Sequence, residues 1–370
     1  MTMFKQDMKP DEQAMMALRD LYSAYGYQHY KVSKFESYDL YLQNKNFLQS
    51  KRILTFTDTN GRLMALKPDV TLSIIKNTKP TAGMSKVYYT ENVYRVPKNA
   101  DGYQEIMQTG LELIGTVDDY AMAEVLMLAE RSLRTISEDY VLDISHIGVL
   151  SGLLDSQELD EAQRGEIMVA VGERNLHQLR ALCSRFDLPV QFSDTLCAIV
   201  SLYGPLDEAL TQAEALELPD SCRTAIASLR RLSELLALSG CRNLRLDLSL
   251  VSDMDYYNGL VFRGFISGIA AGVLSGGRYD NLMAKMGREQ SAIGFALYMD
   301  QLERYFARKD EYDVDILLSY GAECDLAALI RKANELTEAG CSVRIQPEGA
   351  GGVHARKKFL IKGTEVTELD

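Results

Sequence analysis

Strand-type and helix-type segments come in blocks along this chain instead of alternating, and that grouping most constrains its fold. Interleaved strands and helices build a parallel sheet. Strands joined by turns, with helices gathered elsewhere, build an antiparallel sheet of the α+β class. Residues 9–26 read as an amphipathic helix, opened by Pro10 and Asp11, closed by Gly26, with Met15, Leu18, Leu21 and Tyr22 on one stripe. An extended stretch follows around Tyr30–Phe35. Next, Arg52–Asp58 and Arg62–Lys67 flank Asn60-Gly61, a pair that favours a type I′ hairpin turn. Lys86–Val96 and Tyr103–Ile114 are two longer strand candidates across the polar loop Pro97–Gly102, and a helix is expected from about Asp118 to Glu138.

From about Leu150 to Ser239 the chain turns Leu- and Ala-rich at helical spacing, with breaks at Pro189, Gly204 and Pro219. Strand character returns at Asn243–Val251, Leu260–Phe265 and near Ile269–Leu274. Ser275–Asp280 reads as a turn, and Gly294 to about Arg308 as a closing helix. A strand at Val314–Leu318, a helix at Leu326–Ala339, a strand at Ser342–Ile345, the loop Gly349–Gly352 and a last strand at Lys358–Gly363 make a small βαβ module. The expectation is an α+β main domain over residues 1–310 on an antiparallel sheet, with an all-helical insertion at about 150–240, followed by the module at 311–370.

Composition excludes more than it identifies. At 46% hydrophobic and 25% charged, the 370 residues have ample material for a core. Forty basic against fifty-two acidic residues give a formal charge of −12, which disfavours nucleic-acid and anionic-membrane partners. The N-terminus, MTMFKQDMKPDEQ, has no apolar core of the kind a leader peptide carries, and the uncharged stretch Gly264–Gly277 is too short to span a bilayer. Six scattered cysteines without a CxxC pair and four dispersed histidines support neither a metal site nor a Cys-His nucleophile. They fit reduced thiols in the cytoplasm. Gly349-Ala-Gly-Gly352 precedes no helix and is no dinucleotide fingerprint, so no cofactor is expected.

The informative residues form separated segments in a fixed order. They are Lys67-Pro-Asp-Val-Thr71, Tyr94-Arg95, Tyr103–Gln108 with Leu111-Glu112, Asp255-Tyr-Tyr257, Ser275–Asp280 and Ala292–Ala296. Asp69, Thr71, Gln108 and Glu112 supply acceptors and one amide, which suits an ammonium group and an N–H-bearing ring. Gln108 and Glu112 lie four apart on a strand and share a face, and Tyr257 adds an aromatic wall with a polar tip.

Together these segments resemble the histidyl-tRNA synthetase family of class II synthetases, over most of residues 1–308 and part of the tail. Arg95 with the strand–loop–strand after it resembles motif 2, and Gly294-Phe-Ala296 resembles motif 3. Asp255-Tyr-Tyr257 resembles the histidine-recognition segment. The resemblance implies a histidine-like pocket of Asp69, Thr71, Arg95, Gln108, Glu112, Tyr256, Tyr257 and Arg278. In it Asp69, Thr71 and Gln108 hold the α-amino group, while Glu112 and Tyr257 hold the imidazole.

Three departures from that family bear on activity. Gln104 stands where a synthetase carries an Arg after the motif 2 loop. Asp300-Gln301-Leu302 stands for Glu-Arg-Leu, and Ser252-Asp-Met-Asp-Tyr-Tyr257 stands for Arg-Gly-Leu-Asp-Tyr-Tyr. Neither Gln nor Ser restores the charge or the bidentate fork of an arginine. One preorganised contact to a developing charge is worth about 3 kcal/mol, so losing three removes adenylation. By the same resemblance the tail is a truncated anticodon-binding-like module. The combination resembles the family's regulatory paralogues, which do no catalysis of their own. It implies a short ATP phosphoribosyltransferase catalytic subunit as partner, in a hetero-octamer of four and four chains on a homodimeric core. Histidine would be the feedback effector of that assembly. An active histidyl-tRNA synthetase and a stand-alone histidine sensor are the rival readings.

Overall fold

The structure is a computed structural model that describes residues 9–45, 48, 52–78, 83–96, 102–250, 256–306 and 312–369. Two compact units divide the chain, one of Ala14–Tyr305 and one that joins Phe306–Asp370 with residues 1–13.

The first long element, helix α1 (Pro10–Ala24), buries Ala14, Leu18 and Tyr22. Short strands β1 (Gln28–His29) and β2 (Phe35–Ser37), helix α2 (Tyr38–Gln43) and the hairpin β3 (Thr55–Thr57) and β4 (Leu63–Leu66) follow. The hairpin pairs as expected, Phe56 facing Met64, but its turn is not type I′. Gly61 is left-handed at φ 75° while Asn60 is not, because the Asp58 carboxylate accepts from the amides of Asn60 and Arg62 at 2.8 and 2.9 Å and shapes the loop itself. Directly after it comes helix α3 (Thr71–Asn77), which the sequence pattern did not indicate.

Strands β5 (Ser85–Arg95) and β6 (Gln104–Gly115) form the longest antiparallel pair. Helix α4 (Asp119–Ile136) starts where Asp118 accepts from the Ala121 amide at 2.8 Å, and leads to β7 (Tyr140–His146). The Leu/Ala-rich region forms six helices, α5 (Ile147–Leu154), α6 (Glu161–Gly172), α7 (Leu176–Arg185), α8 (Val190–Ser201), α9 (Leu206–Glu214) and α10 (Asp220–Leu238), with a three-residue strand β8 (Tyr203–Pro205). They belong to the same compact unit as the sheet, α10 packing on both α4 and α5.

Strands β9 (Leu244–Asp247), β10 (Leu260–Ile266), β11 (Leu274–Arg278) and β12 (Ser291–Tyr298), with helices α11 (Asp280–Lys285) and α12 (Met299–Phe306), complete the unit. Two expectations change here. Ser275–Arg278 is strand rather than turn, and Gly294–Tyr298 is strand rather than helix, the closing helix starting at Met299. Gly276, Gly277 and Gly294 have no Cβ and serve close packing across the sheet, which a reading of each segment by itself does not show. The nine strands run in the order β1-β5-β6-β12-β11-β10-β7-β9-β8, antiparallel except β1 with β5 and β7 with β9.

In the second unit, β13 (Val314–Tyr320), helix α13 (Leu326–Glu338), β14 (Val343–Pro347) and β15 (Ala355–Lys362) form the expected βαβ module. A further strand β16 (Glu365–Leu369) adds to the sheet, in the order β14-β13-β15-β16. Ile316, Leu318, Leu329, Ala333 and Ile361 make its core. All six cysteines are free thiols, and among the described residues no helix is long and apolar enough to cross a membrane.

Replacing Leu229, which is 1% exposed on α10, by Ala is expected to lower stability by about 2–5 kcal/mol. Asp118→Ala, which removes only a cap, should cost about 1 kcal/mol. Urea unfolding of both variants checks that order, and a larger loss for Asp118→Ala would contradict the assigned packing of α10.

Candidate functional site

The antiparallel register brings the separated segments together. Across β5 and β6, Val87 faces Glu112, Glu91 faces Gln108 and Arg95 faces Gln104. Because side chains alternate, Tyr89, Glu91 and Arg95 share one face with Gln108 and Glu112. Glu112 then faces Gly294 on β12, and Gly294 faces Gly277 on β11.

These glycines hollow out the sheet. A Cβ on Gly294 would overlap the Glu112 carboxylate, and one on Gly277 would lie 2.7 Å from Cδ1 of Tyr257. One on Gly110 would lie 2.8 Å from the Tyr89 hydroxyl. The side chains so accommodated face a cavity lined by Asp69, Thr71, Tyr89, Arg95, Gln108, Glu112, Tyr256, Tyr257, Ser275, Tyr279, Gly294, Phe295 and Tyr298, with Val70 and Ala296. It is a polar, partly open pocket, with about 520 Å³ of empty space when the solvent at its mouth is included.

Seven of the eight residues expected at a ligand site therefore line one cavity. Arg278 does not. It lies one residue out of phase with Gly277, so it leaves β11 on the other face. Its guanidinium donates to Asp280 at 2.8 Å and to Ser291 at 3.3 Å. Asp255 and Ser252 fall outside the described residues. Tyr89, Tyr279, Tyr298, Ser275 and Phe295 were not anticipated. Tyr89 shares the parity of Arg95, while Ser275, Tyr279 and Tyr298 sit in or beside the segments that read as turn and helix.

Glu112, 2% exposed, is the centre of the cavity's polar network. Thr71 Oγ1 donates to its Oε1 at 2.7 Å and the Tyr279 hydroxyl to its Oε2 at 2.6 Å. Burial pushes its pKa up to about 8; the hydrogen bonds from Tyr279 and Thr71 oppose this and the nearby Asp69 adds to it. Burial likewise raises Asp69, against the amides of Leu72 and Thr71 and the cations of Arg95 and Lys67. Asp69 Oδ1 accepts from the Leu72 amide at 2.9 Å, so this carboxylate also starts α3. Burial keeps Tyr89, Tyr256 and Tyr279 protonated as donors.

The rings of Tyr256 and Tyr257 meet edge to face at 4.7 Å, and Tyr279 lies 5.8 Å from Tyr256. Arg95, 8% exposed, stacks over Tyr298 at 5.9 Å. Among the described residues it is the one cation in the lining. Gln104 is exposed, and exposed Gln301 donates to Asp300 at 2.8 Å. The lining thus offers two carboxyls, one guanidinium, an amide and several phenols. That set suits a small zwitterion with a ring better than a polyphosphate.

The sequence profile of the family described as Histidyl-tRNA synthetase matches residues 3–302. A protein from Clostridium kluyveri named ATP phosphoribosyltransferase regulatory subunit is 30% identical over 358 residues, covering 92% of this chain and 90% of the relative. A Histidine–tRNA ligase from Methanococcus maripaludis is 28% identical over 93% of this chain and 84% of its own. The crystal structure described as an ATP phosphoribosyltransferase regulatory subunit/histidyl-tRNA synthetase from Bacillus halodurans superposes with a TM-score of 0.75. It is 25% identical and covers 93% of this chain and 90% of that one.

A carboxyl with a raised native pKa binds its proton more tightly folded than unfolded, so stability falls as pH rises from about 4.5 toward about 8. Glu112→Gln should therefore gain stability relative to the parent protein across that interval, by up to about 1.4 kcal/mol per pH unit. Urea titrations at pH 5, 6, 7 and 8 measure this, and a pH-independent difference would mean Glu112 is ionised throughout.

Proposed function

The chain belongs to the histidyl-tRNA synthetase family, in the branch of ATP phosphoribosyltransferase regulatory subunits, and on that premise we propose that it binds a free amino acid without activating it and serves as a regulatory subunit. Its partner is the short ATP phosphoribosyltransferase catalytic chain of the first step in histidine biosynthesis, and its effector is histidine. The assembly is a hetero-octamer of four and four chains on a homodimeric core.

One observation supports the reading: among the described residues the lining carries groups that suit an amino acid and a single cation for a phosphate. Asp69, Thr71 and Gln108 suit an ammonium, Glu112 and Tyr257 a ring N–H, and Arg95 a carboxylate. Joining an amino acid to ATP builds charge on the α-phosphate, and that charge needs several fixed cations. Among the described residues the lining holds one, and neutral side chains stand at Gln104 and Gln301. Regulation further requires histidine to bind the active and inhibited assemblies with different affinity, since equal affinity shifts nothing.

Mixing this chain with a short catalytic chain should raise phosphoribosyltransferase activity, and added histidine should lower it. Glu112→Ala or Tyr257→Ala should weaken that inhibition about tenfold or more while leaving activation in place. Unchanged inhibition in both variants would put the effector at another surface. Histidine-stimulated ATP–pyrophosphate exchange above background would instead establish an active synthetase.

A further inference from the structure

Lys67 is 0% exposed, an unusual position for an ammonium group. Its Nζ donates to Glu91 Oε2 at 2.8 Å, and Glu91 Oε1 accepts from the Val32 amide at 2.9 Å. Its backbone is equally engaged. The Lys67 amide donates to the Lys34 carbonyl at 3.0 Å, and its carbonyl accepts from the Tyr94 amide at 2.8 Å. Lys67 therefore ties the segment before Asp69 and Thr71 to the end of β5, beside Arg95, while Glu91 faces Gln108 across the ladder.

A fold does not need such a pair. A buried ion pair is commonly matched or exceeded in stability by apolar side chains of the same size, because desolvating two charges offsets their attraction. What an apolar pair could not supply is a positive charge two residues from Asp69. We propose that Lys67, held by Glu91, is a positioning residue of the pocket whose buried charge sets the Asp69 corner to receive an ammonium group, making the site selective for amino acids over their desamino analogues. This rests on the amino-acid reading given above.

The surroundings agree with the assignment. Burial drives Asp69 toward its neutral form, and of the groups facing it, Glu112 is acidic while Tyr41, Tyr89 and Tyr256 are protonated phenols. The cations that oppose burial are Arg95 and Lys67. Arg95 is the group available to a ligand carboxylate, which leaves Lys67, with the Leu72 and Thr71 amides, on the side of the ionised Asp69. Lys67 itself is drawn toward neutrality by burial, with Lys34 adding to that and Glu91 and Glu36 opposing it.

The test is calorimetric titration of the full chain with L-histidine and with 3-(imidazol-4-yl)propionate, which lacks the amino group, between pH 6 and 8. Lys67→Met should weaken histidine binding about tenfold at pH 7. The loss relative to the parent protein should grow as pH falls, a ratio in which titration of the ligand cancels. The desamino ligand should bind parent and variant alike, and Lys67→Arg should restore histidine binding. If Lys67→Met does not fold, Lys67→Gln keeps the stem and a donor for Glu91 and takes its place. Equal losses for both ligands, or none for histidine, would overturn the inference alone. A parent protein that binds neither ligand would overturn the amino-acid reading and the inference with it.

Discussion

A carboxyl group buried in the middle of a nine-stranded sheet sets the terms for everything around it. Glu112 needs room, donors and a wall that excludes water, and each requirement falls on a different part of the chain. Gly294 supplies the room by having no Cβ, directly opposite on β12. Thr71 at the start of α3 and Tyr279 just before α11 supply the donors. Tyr256 and Tyr257 close the side. Glycine in strand interiors costs stability, and here Gly110, Gly277 and Gly294 all lie in the central strands. The extensive apolar packing on both sides offsets that cost. Tyr41, Leu72, Ile74, Ile75, Val93 and Ile106 pack around the site, while Leu111, Leu113 and Leu297 are fully buried within the sheet.

Charge then separates recognition from chemistry. Asp69 and Glu112 both face the cavity, and burial raises both toward their neutral forms. Such a site discriminates strongly between ligands that bring hydrogen-bond donors and ligands that bring more negative charge. Among the described residues, a triphosphate would meet two acids and a single guanidinium. On the proposed reading, the amino-acid groups are kept and adenylation is lost through a few side chains, Gln104 and Gln301 among them, with no change of fold. The fold shared with a Histidine–tRNA ligase and with named regulatory subunits is consistent with function residing in the site rather than in the architecture.

The block pattern of the sequence determined the class of fold. Amphipathic spacing marked α1, α4 and the helices between Ile147 and Leu238, and strand runs marked β5, β6 and β10, because burial of one face imposes a period that any reader can count. Part of the pocket was legible too, since Gln108 and Glu112 had to share a face if β6 was a strand, while Asp69 and Thr71 were marked by the family resemblance and not by any local period. Less legible was every place where glycine is used for close approach. Ser275–Arg278 and Gly294–Tyr298 look like turn and helix in isolation, yet both are strands, in which Gly277 and Gly294 leave room for the Tyr257 ring and the Glu112 carboxylate. Only the register across β6, β12 and β11 shows what those glycines oppose. The same holds for Tyr279, Tyr298 and Lys67, and for the exclusion of Arg278. A side chain's phase and partners depend on pairings between residues far apart in the chain, and no local pattern records them.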